Sequence, residues 1–335
     1  MTEIVQPAGA GDAGAGAVDH IAFENLDRLL NVEMRSNSLP RGAKWTMYLM
    51  ARERAGMPLV YAAAREFDRA PASVLLVSGA AVPGYMPVGE NDGPIGTVVL
   101  TRALVAMGHH VRILTDPVAA EPFRGLLRAV QTEAEVLEIG LGDLAMQERL
   151  AAEHDIFCAI ERLGGNTHGI IYGATGVSRA PFRANLDHLF NTARAHGKRT
   201  LGIGDGGNEI GFGNLHPQLS QALPAYTFSD VTPCGGGVYS VVETDVLLVA
   251  NSSNMGANAV TAGLALLRRD LSLCHTAEQE LALAHVGVGL GLIDGGNGQL
   301  RPWCDGIPPA ANAAVVEVLR TIISQSLLPE ERRKF

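Results

Sequence analysis

Six short, near-continuous apolar runs constrain this chain more than any other feature. They are "SVLLVSGA" (73–80), "HVRILTD" (110–116), "AEVLEIG" (134–140), "DIFCAIE" (155–161), "RTLGIG" (199–204) and "TDVLLVAN" (244–251). Runs of this length without strict alternation read as strands buried on both faces. Between them lie longer segments of helical periodicity. "PIGTVVLTRALVAMG" (94–108) has Pro94 in its first turn and Gly108 beyond its end, as helix boundaries prefer. "DLAMQERLAAE" (143–153), "APFRANLDHLFNTARAHG" (180–197) and "GANAVTAGLALLRRD" (256–270) continue the series. Strand, helix and strand in succession make parallel βαβ units. The expectation is an α/β protein with a doubly wound, mostly parallel sheet, a Rossmann-like three-layer arrangement.

The ends of the chain read differently. Residues 1–18 are Ala/Gly-rich without Lys or Arg and are expected to be a disordered leader. They lack the basic and apolar regions of a signal peptide and the arginines of a transit peptide. Residues 19–70 hold helices, "DHIAFENLDRLLNVEM" and "GAKWTMYLMARERA" among them, expected to pack on a main domain over 71–335 that also carries C-terminal helices.

Composition narrows the function. Acidic residues outnumber basic ones, 35 to 26, for a net charge of -9, and no Lys/Arg block stands out. Nucleic acid and anionic membrane are therefore poor partners. A local pocket can still accept a small anionic substrate, and assembly into a homo-oligomer is compatible with such a chain. The four cysteines, Cys158, Cys234, Cys274 and Cys304, form no CxxC pair, which disfavours a zinc knuckle or a dithiol site. Cys158 reads as core, and Cys234 in "TPCGGG" is the one beside a flexible loop. No apolar run reaches membrane-spanning length, and a cytoplasmic protein is expected.

In doubly wound sheets, ligands bind at the carboxyl ends of the strands. The polar residues there are Asp116, Glu161, Asp205 and Asn251, each followed by a Gly-, Asn- or Ser-rich loop. Glycine numbers 39 of 335 residues, above the usual share of about 7%, and clusters in these loops. "TLGIGDGGNEIGFGN" (200–214) is the densest. Gly202, Gly204 and Gly207 satisfy the dinucleotide spacing, but no helix pattern opens at the third glycine, so nicotinamide or flavin is not expected. The absence of any Asp-x-Asp pair counts against a haloacid-dehalogenase phosphatase. Asp205 and Asn208 could simply cap turns. Alternatively, Asp205, Asn208 and Glu209 supply hard oxygen ligands suited to Mg²⁺ or Mn²⁺, or the loop N–H groups cradle a carboxylate.

"GENDGPIGT" (89–97) places Gly93 and Gly96 at a helix N-terminus, an anion site by geometry, with Asp92 as its candidate N-cap. "ERLGGNTHGIIYGATGVSR" (161–179) offers Glu161, Asn166, His168 and Arg179 as acid, base or substrate anchor. In "NSSNMGAN" (251–258), Asn251 and Ser252 can cap the next helix.

Taken in order, "ENDGPIGTVVLTRAL", "AIERLGGNTHGIIYG…NLDHLF", "LGIGDGGNEIGFG", "DVLLVANSSNMGAN" and "LIDGGNG…DGIP" resemble the C-terminal domain of the D-glutamate cyclase family. The resemblance runs from about residue 70 to the end. It implies a hydro-lyase interconverting D-glutamate and 5-oxo-D-proline plus water, as a stand-alone form without the large N-terminal hydro-lyase-like domain of the animal cyclase. Asp92, Gly93, Glu161, Arg162, Asp205, Gly206, Gly207, Asn208, Glu209, Asn254 and Asp294 match the shared pattern. His168-Gly169 and Asn297-Gly298 depart from it. For such a reaction Asp205, Asn208 and Glu209 could hold a divalent metal, Glu161 or His168 could act as base, and Arg179 could hold the α-carboxylate. A phosphate-ester or nucleotide enzyme and a non-catalytic ligand-binding subunit remain the competing classes.

Overall fold

The computed structural model describes residues 17–34, 41–223 and 232–329. Residues 1–16 of the expected leader fall outside them, and its last two residues, 17 and 18, are helical instead, as the start of helix α1 (Ala17–Leu30). Six strands follow in the expected places: β1 (Ser73–Val77), β2 (His110–Thr115), β3 (Glu135–Glu138), β4 (Ile156–Ile160), β5 (Arg199–Gly204) and β6 (Val246–Val249). They form one sheet in the order β3-β2-β1-β4-β5-β6, and all five pairings are parallel. This is the doubly wound order, with its topological switch point between β1 and β4.

Strand side chains alternate between two cores, as the two-residue period requires. Val74, Leu76, Ile156, Cys158 and Ile160 join the larger core. It includes α3 (Leu59–Phe67), α4 (Pro94–Ala106), α5 (Ala120–Ala129) and α9 (Ser253–Arg268). Leu75, Val77, Phe157 and Ala159 join the smaller core on the other face, with α6 (Leu144–Glu153) and α7 (Asp187–Ala195). Residues of α1, α2 (Ala43–Ala55), α10 (Ala277–Gly289) and α11 (Pro309–Ser326) also belong to the larger core. A five-residue helix, α8 (Gln218–Ala222), lies between β5 and β6. No helix among the described residues is long and apolar enough to cross a membrane.

One helix is shorter than its periodicity suggests. Residues 180–197 read as one helix, yet α7 starts only at Asp187. Tertiary partners capture the backbone before it: Ala184 N–H donates to Asp116 at 2.8 Å, and inside α7 Leu189 N–H donates to Gln147 at 2.9 Å.

Candidate functional site

A cleft of about 370 Å³ opens at the carboxyl edge, where β1 and β4 part. Its walls are Ala80 beyond β1, Glu161 and Leu163 beyond β4, and Asp205, Gly206 and Asn208 beyond β5. The loops carrying Met86 and Glu90, Gly173 to Arg183, and Gly295 to Asp305 close the sides.

Two helix N-termini beneath the cleft cap each other. Asp92 accepts from Ser253 N–H at 3.0 Å and Asn254 N–H at 2.7 Å, at the start of α9. Asn254 Oδ1 in turn accepts from Gly93 N–H at 3.0 Å and Gly96 N–H at 2.7 Å, at the start of α4. Asp92 is therefore a cap for α9, not for α4 as its sequence position suggests; the residue that precedes α4 is Gly93. Each side chain satisfies orphan donors of the opposite helix. The approach is so close that a Cβ on Gly96 would lie 2.8 Å from Asn254 Cα. Gly93, Gly96 and Asn254 are buried scaffold under the cleft rather than its lining. At the start of α9, Ser252 accepts from Met255 N–H at 3.3 Å, as expected, whereas the Asn251 amide is buried with neither polar atom partnered.

Carboxyl groups crowd the cleft lining and the layer directly behind it. Ligand oxygens of Glu161, Asp205 and Glu209 lie within 4.8 Å of one another, and so do those of Asp92, Asp205 and Asp305. The fold holds the first group by local bonds. Glu209 Oε1 accepts from Asp205 N–H at 2.9 Å and Gly206 N–H at 2.8 Å, so the bare loop wraps its own carboxylate, while Oε2 is buried without a partner. Glu161 accepts from Ser253 Oγ–H at 2.6 Å. Its backbone sits at φ 52°, and Asp305 at φ 54°. Two of the four non-glycine residues with positive φ among the described residues therefore line the cleft, and such strain gathers at functional sites.

The crowding perturbs protonation. Burial, then the charges of Asp205 and Glu209, push Glu161 well above the ordinary carboxyl range. Glu209 rises to about 7, by burial and the Asp205 charge. Asp92 rises to about 6 for the same two reasons, and Glu90 rises well above normal by burial and Asp305. A buried cation answers Asp205. Lys44, 6% exposed on α2, bonds Asp205 directly and donates to Asn251 C=O at 2.5 Å. A single Lys in a mixed helix gives no sequence signal of this reach. Arg179 and Arg183 also line the cleft; Arg183 is the second residue that sequence reading missed.

Several expected site residues lie elsewhere. His168 is exposed and outside the cleft lining, in a turn that packs against Gly236. Asn166 is buried beside that turn. Its Oδ1 accepts from His168 and Ile170 N–H at 3.0 and 3.2 Å, and its Nδ2 donates to Gly237 C=O at 2.7 Å and Cys234 Sγ at 3.4 Å. Its hydrogen-bonding capacity is spent on the loop. Hydrogen bonds from Tyr172, Asn166 and Gly236 bring the half-buried Cys234 thiol down to about 7. Asp294 is also spent: it accepts from Arg301 Nε and Nη2 at 2.8 and 2.6 Å, Asn297 Nδ2 at 2.9 Å and Gly306 N–H at 2.7 Å, tying the 294–306 loop shut. Arg162, fully buried, grips Asp116 through both terminal nitrogens at 2.5 and 3.2 Å and joins the tips of β4 and β2. Gly207 turns away from the cleft, its C=O accepting from Ser240 N–H at 3.0 Å. Asn208 lines the cleft and donates Nδ2 to Tyr172 C=O at 2.9 Å.

The fold and site define a doubly wound α/β protein with a buried carboxyl cluster in its switch-point crevice. A family model described as "D-glutamate cyclase-like, C-terminal" matches residues 30–320, and the chain belongs to that family. It is similar to the human protein "D-glutamate cyclase, mitochondrial", 27% identical over 211 residues. That match covers 58% of this chain and 33% of the human protein, so the chain spans about a third of that relative's length.

Proposed function

We propose that this chain is a carbon–oxygen hydro-lyase that interconverts D-glutamate, or a close acidic amino acid, with its five-membered lactam and water. The observation that carries the reading is the Glu161–Asp205–Glu209 group. It sets Glu161, a cleft-lining carboxyl that holds its proton, and Asp205, also in the lining, beside Glu209, which is buried directly behind them and is raised to about 7. Groups pushed apart in this way are suited to act as acid and base at one pH.

Ring closure needs both. The amine nitrogen bonds to the side-chain carboxyl carbon, and one C–O bond breaks. The ammonium loses two protons, and the departing oxygen gains two to leave as water. Glu209, buried behind the lining, takes a proton from the ammonium by way of Asp205, whose carboxylate lines the cleft beside it. Glu161, protonated, donates one to the departing oxygen, and Ser253 fixes its carboxyl by a hydrogen bond. Glu161 then takes up the second proton from the nitrogen, and Glu209 gives the proton it took to the departing oxygen, so that water leaves and both groups return to their starting states. A divalent ion fits the Glu161–Asp205–Glu209 oxygens better than the second group, because Asp92 is spent on the N-terminus of α9. Bound there with help from Asn208, Mg²⁺ or Mn²⁺ would supply charge neutralisation at the carboxyl under attack. A cytoplasmic setting is part of the proposal; the human relative is named for the mitochondrion.

The test is incubation with both glutamate enantiomers and both 5-oxoprolines, with and without Mg²⁺ or Mn²⁺, read by mass spectrometry. The expected result is conversion of the D-forms, reduced about 10²–10⁴-fold in Glu161→Gln and Glu209→Gln. Failure to convert any of the four compounds in either direction overturns the reading.

A further inference from the structure

Residues 179–183 form a single turn, closed by Phe182 and Arg183 N–H donating to Arg179 C=O at 3.1 and 3.0 Å. A turn of this kind sets residues i and i+4 on one side of the backbone. Arg179 and Arg183 leave it together, and both line the cleft. Arg183 is 3% exposed. Its Nη2 donates to Ala81 C=O at 3.1 Å, and its Nε is buried without a partner. Burial, then the charge of Arg162, bring the Arg183 guanidinium down to about 10, with Arg179 adding a smaller repulsion, while Asp116 and Glu90 support it. Glu90 also supports Arg179, but is itself pushed toward its neutral form. A buried guanidinium and a half-buried one thus line the cleft together, and Glu90, the cleft carboxyl that supports both, is a weak counter-ion.

We infer that Arg179 and Arg183 together grip the carboxylate of the substrate that does not react, and so restrict the cleft to amino acids and lactams that carry one. The inference rests on the lactam-forming reading only in naming which carboxylate reacts. A guanidinium is a planar fork that matches a carboxylate in a bidentate manner. The α-carboxylate keeps its charge through ring closure, so a cationic grip on it holds substrate and product alike and acts on binding more than on the barrier. The side-chain carboxylate loses its charge as the ring closes, which suits the proton-holding Glu161 of the same cleft. Two unlike sets of groups therefore orient the molecule end to end.

Calorimetry with four probes tests this: 5-oxo-D-proline, 2-pyrrolidinone (the same lactam without the carboxylate), glutarate and inorganic phosphate. The wild type is expected to bind 5-oxo-D-proline at least about tenfold more tightly than 2-pyrrolidinone. Arg183→Gln and Arg179→Gln should each remove most of that difference. Gly173→Ala provides a test that leaves both arginines in place, because a Cβ there would overlap the Arg179 guanidinium; it should weaken the carboxylate ligands and leave 2-pyrrolidinone unchanged. It also serves if Arg183→Gln does not fold. Unchanged 5-oxo-D-proline affinity in all folded variants overturns the inference and leaves the lactam reading standing. Glutarate binding that the variants abolish, with no lactam bound or turned over, supports the subsite and overturns the lactam reading. Phosphate bound in preference to every carboxylate overturns the inference in favour of a phosphate ester.

Discussion

Lys44 and Asp205 show how a single pair can set the state of a whole site. Each is almost fully buried, with side-chain exposures of 7% and 5%. Removing one member of such a pair strands the other charge in a dry environment, at a cost of about 3–5 kcal/mol. Lys44→Met should therefore lower stability by that order, read as a fall in the denaturant midpoint at constant m-value. Adding Asp205→Asn to Lys44→Met should recover most of the loss, because the stranded charge is gone. Additive losses in the double variant would mean that the two side chains do not act as a pair. The same loop contains Glu209, whose Oε1 is held by two backbone N–H groups while Oε2 has none. That division fixes the Glu209 carboxyl in one orientation.

The reciprocal caps couple α4 and α9, the two helices that meet beneath the crevice. Asp92 holds two N–H groups of α9, and Asn254 holds two of α4. Asn254 also donates to Asn91 C=O at 2.9 Å, so one side chain fixes the loop that leads to Glu90. Loss of a cap costs about 1 kcal/mol in exposed helices, and more where buried donors are left unpaired. Asn254→Ala should thus lose at least about 2 kcal/mol and lower turnover as well, since the loop carrying Glu90 loses its anchor. Asn254→Asp keeps the acceptor for Gly93 and Gly96 but loses the donor to Asn91; it should retain more stability than Asn254→Ala. Equal losses in the two variants, measured by chemical denaturation, would remove the capping role.

At the scale of the molecule, the buried carboxyls tie stability to pH. Glu209 rises from 4.5 to about 7, and Asp27 and Asp92 from 3.8 to about 6, mainly by burial; Glu90 and Glu161 rise well above normal. A raised acid binds its proton more readily in the fold than in the unfolded chain, so its stability contribution is full below the unfolded pKa and is lost as pH rises through the folded one. His109 and His154 are shifted down by burial, and they destabilise the fold as pH falls below about 6.5. Between pH 8 and 6.5 the carboxyls therefore dominate. Cys234, shifted down to about 7, opposes them in that window, and a Cys234→Ser background removes its contribution. In that background the thermal midpoint should rise as pH falls from 8 to 6.5. A flat or falling midpoint would show that the buried cluster titrates as it does in water.

Much of this architecture is legible in the chain alone. Six apolar runs became six parallel strands because an apolar run has few other ways to pair its backbone, although the edge strand β3 is only partly covered rather than buried on both faces. The strand tips named the region of the site for the same reason: Glu161 and Asp205 end β4 and β5 and so must emerge at one edge. What the sequence could not contain is which neighbours those tips meet. Asp92 precedes α4 but caps α9; His168 shares a loop with Glu161 yet faces outward; Asn166 and Asp294 exhaust their hydrogen bonds on their own loops. Lys44 and Arg183 arrive from segments with no motif. Periodicity is local, so the sequence determined the strands and their polarity. Pairing of charges and donors across 160 residues or more, as between Lys44 and Asp205 or Asp92 and Ser253, depends on strand order and helix docking, and only the tertiary structure decides it.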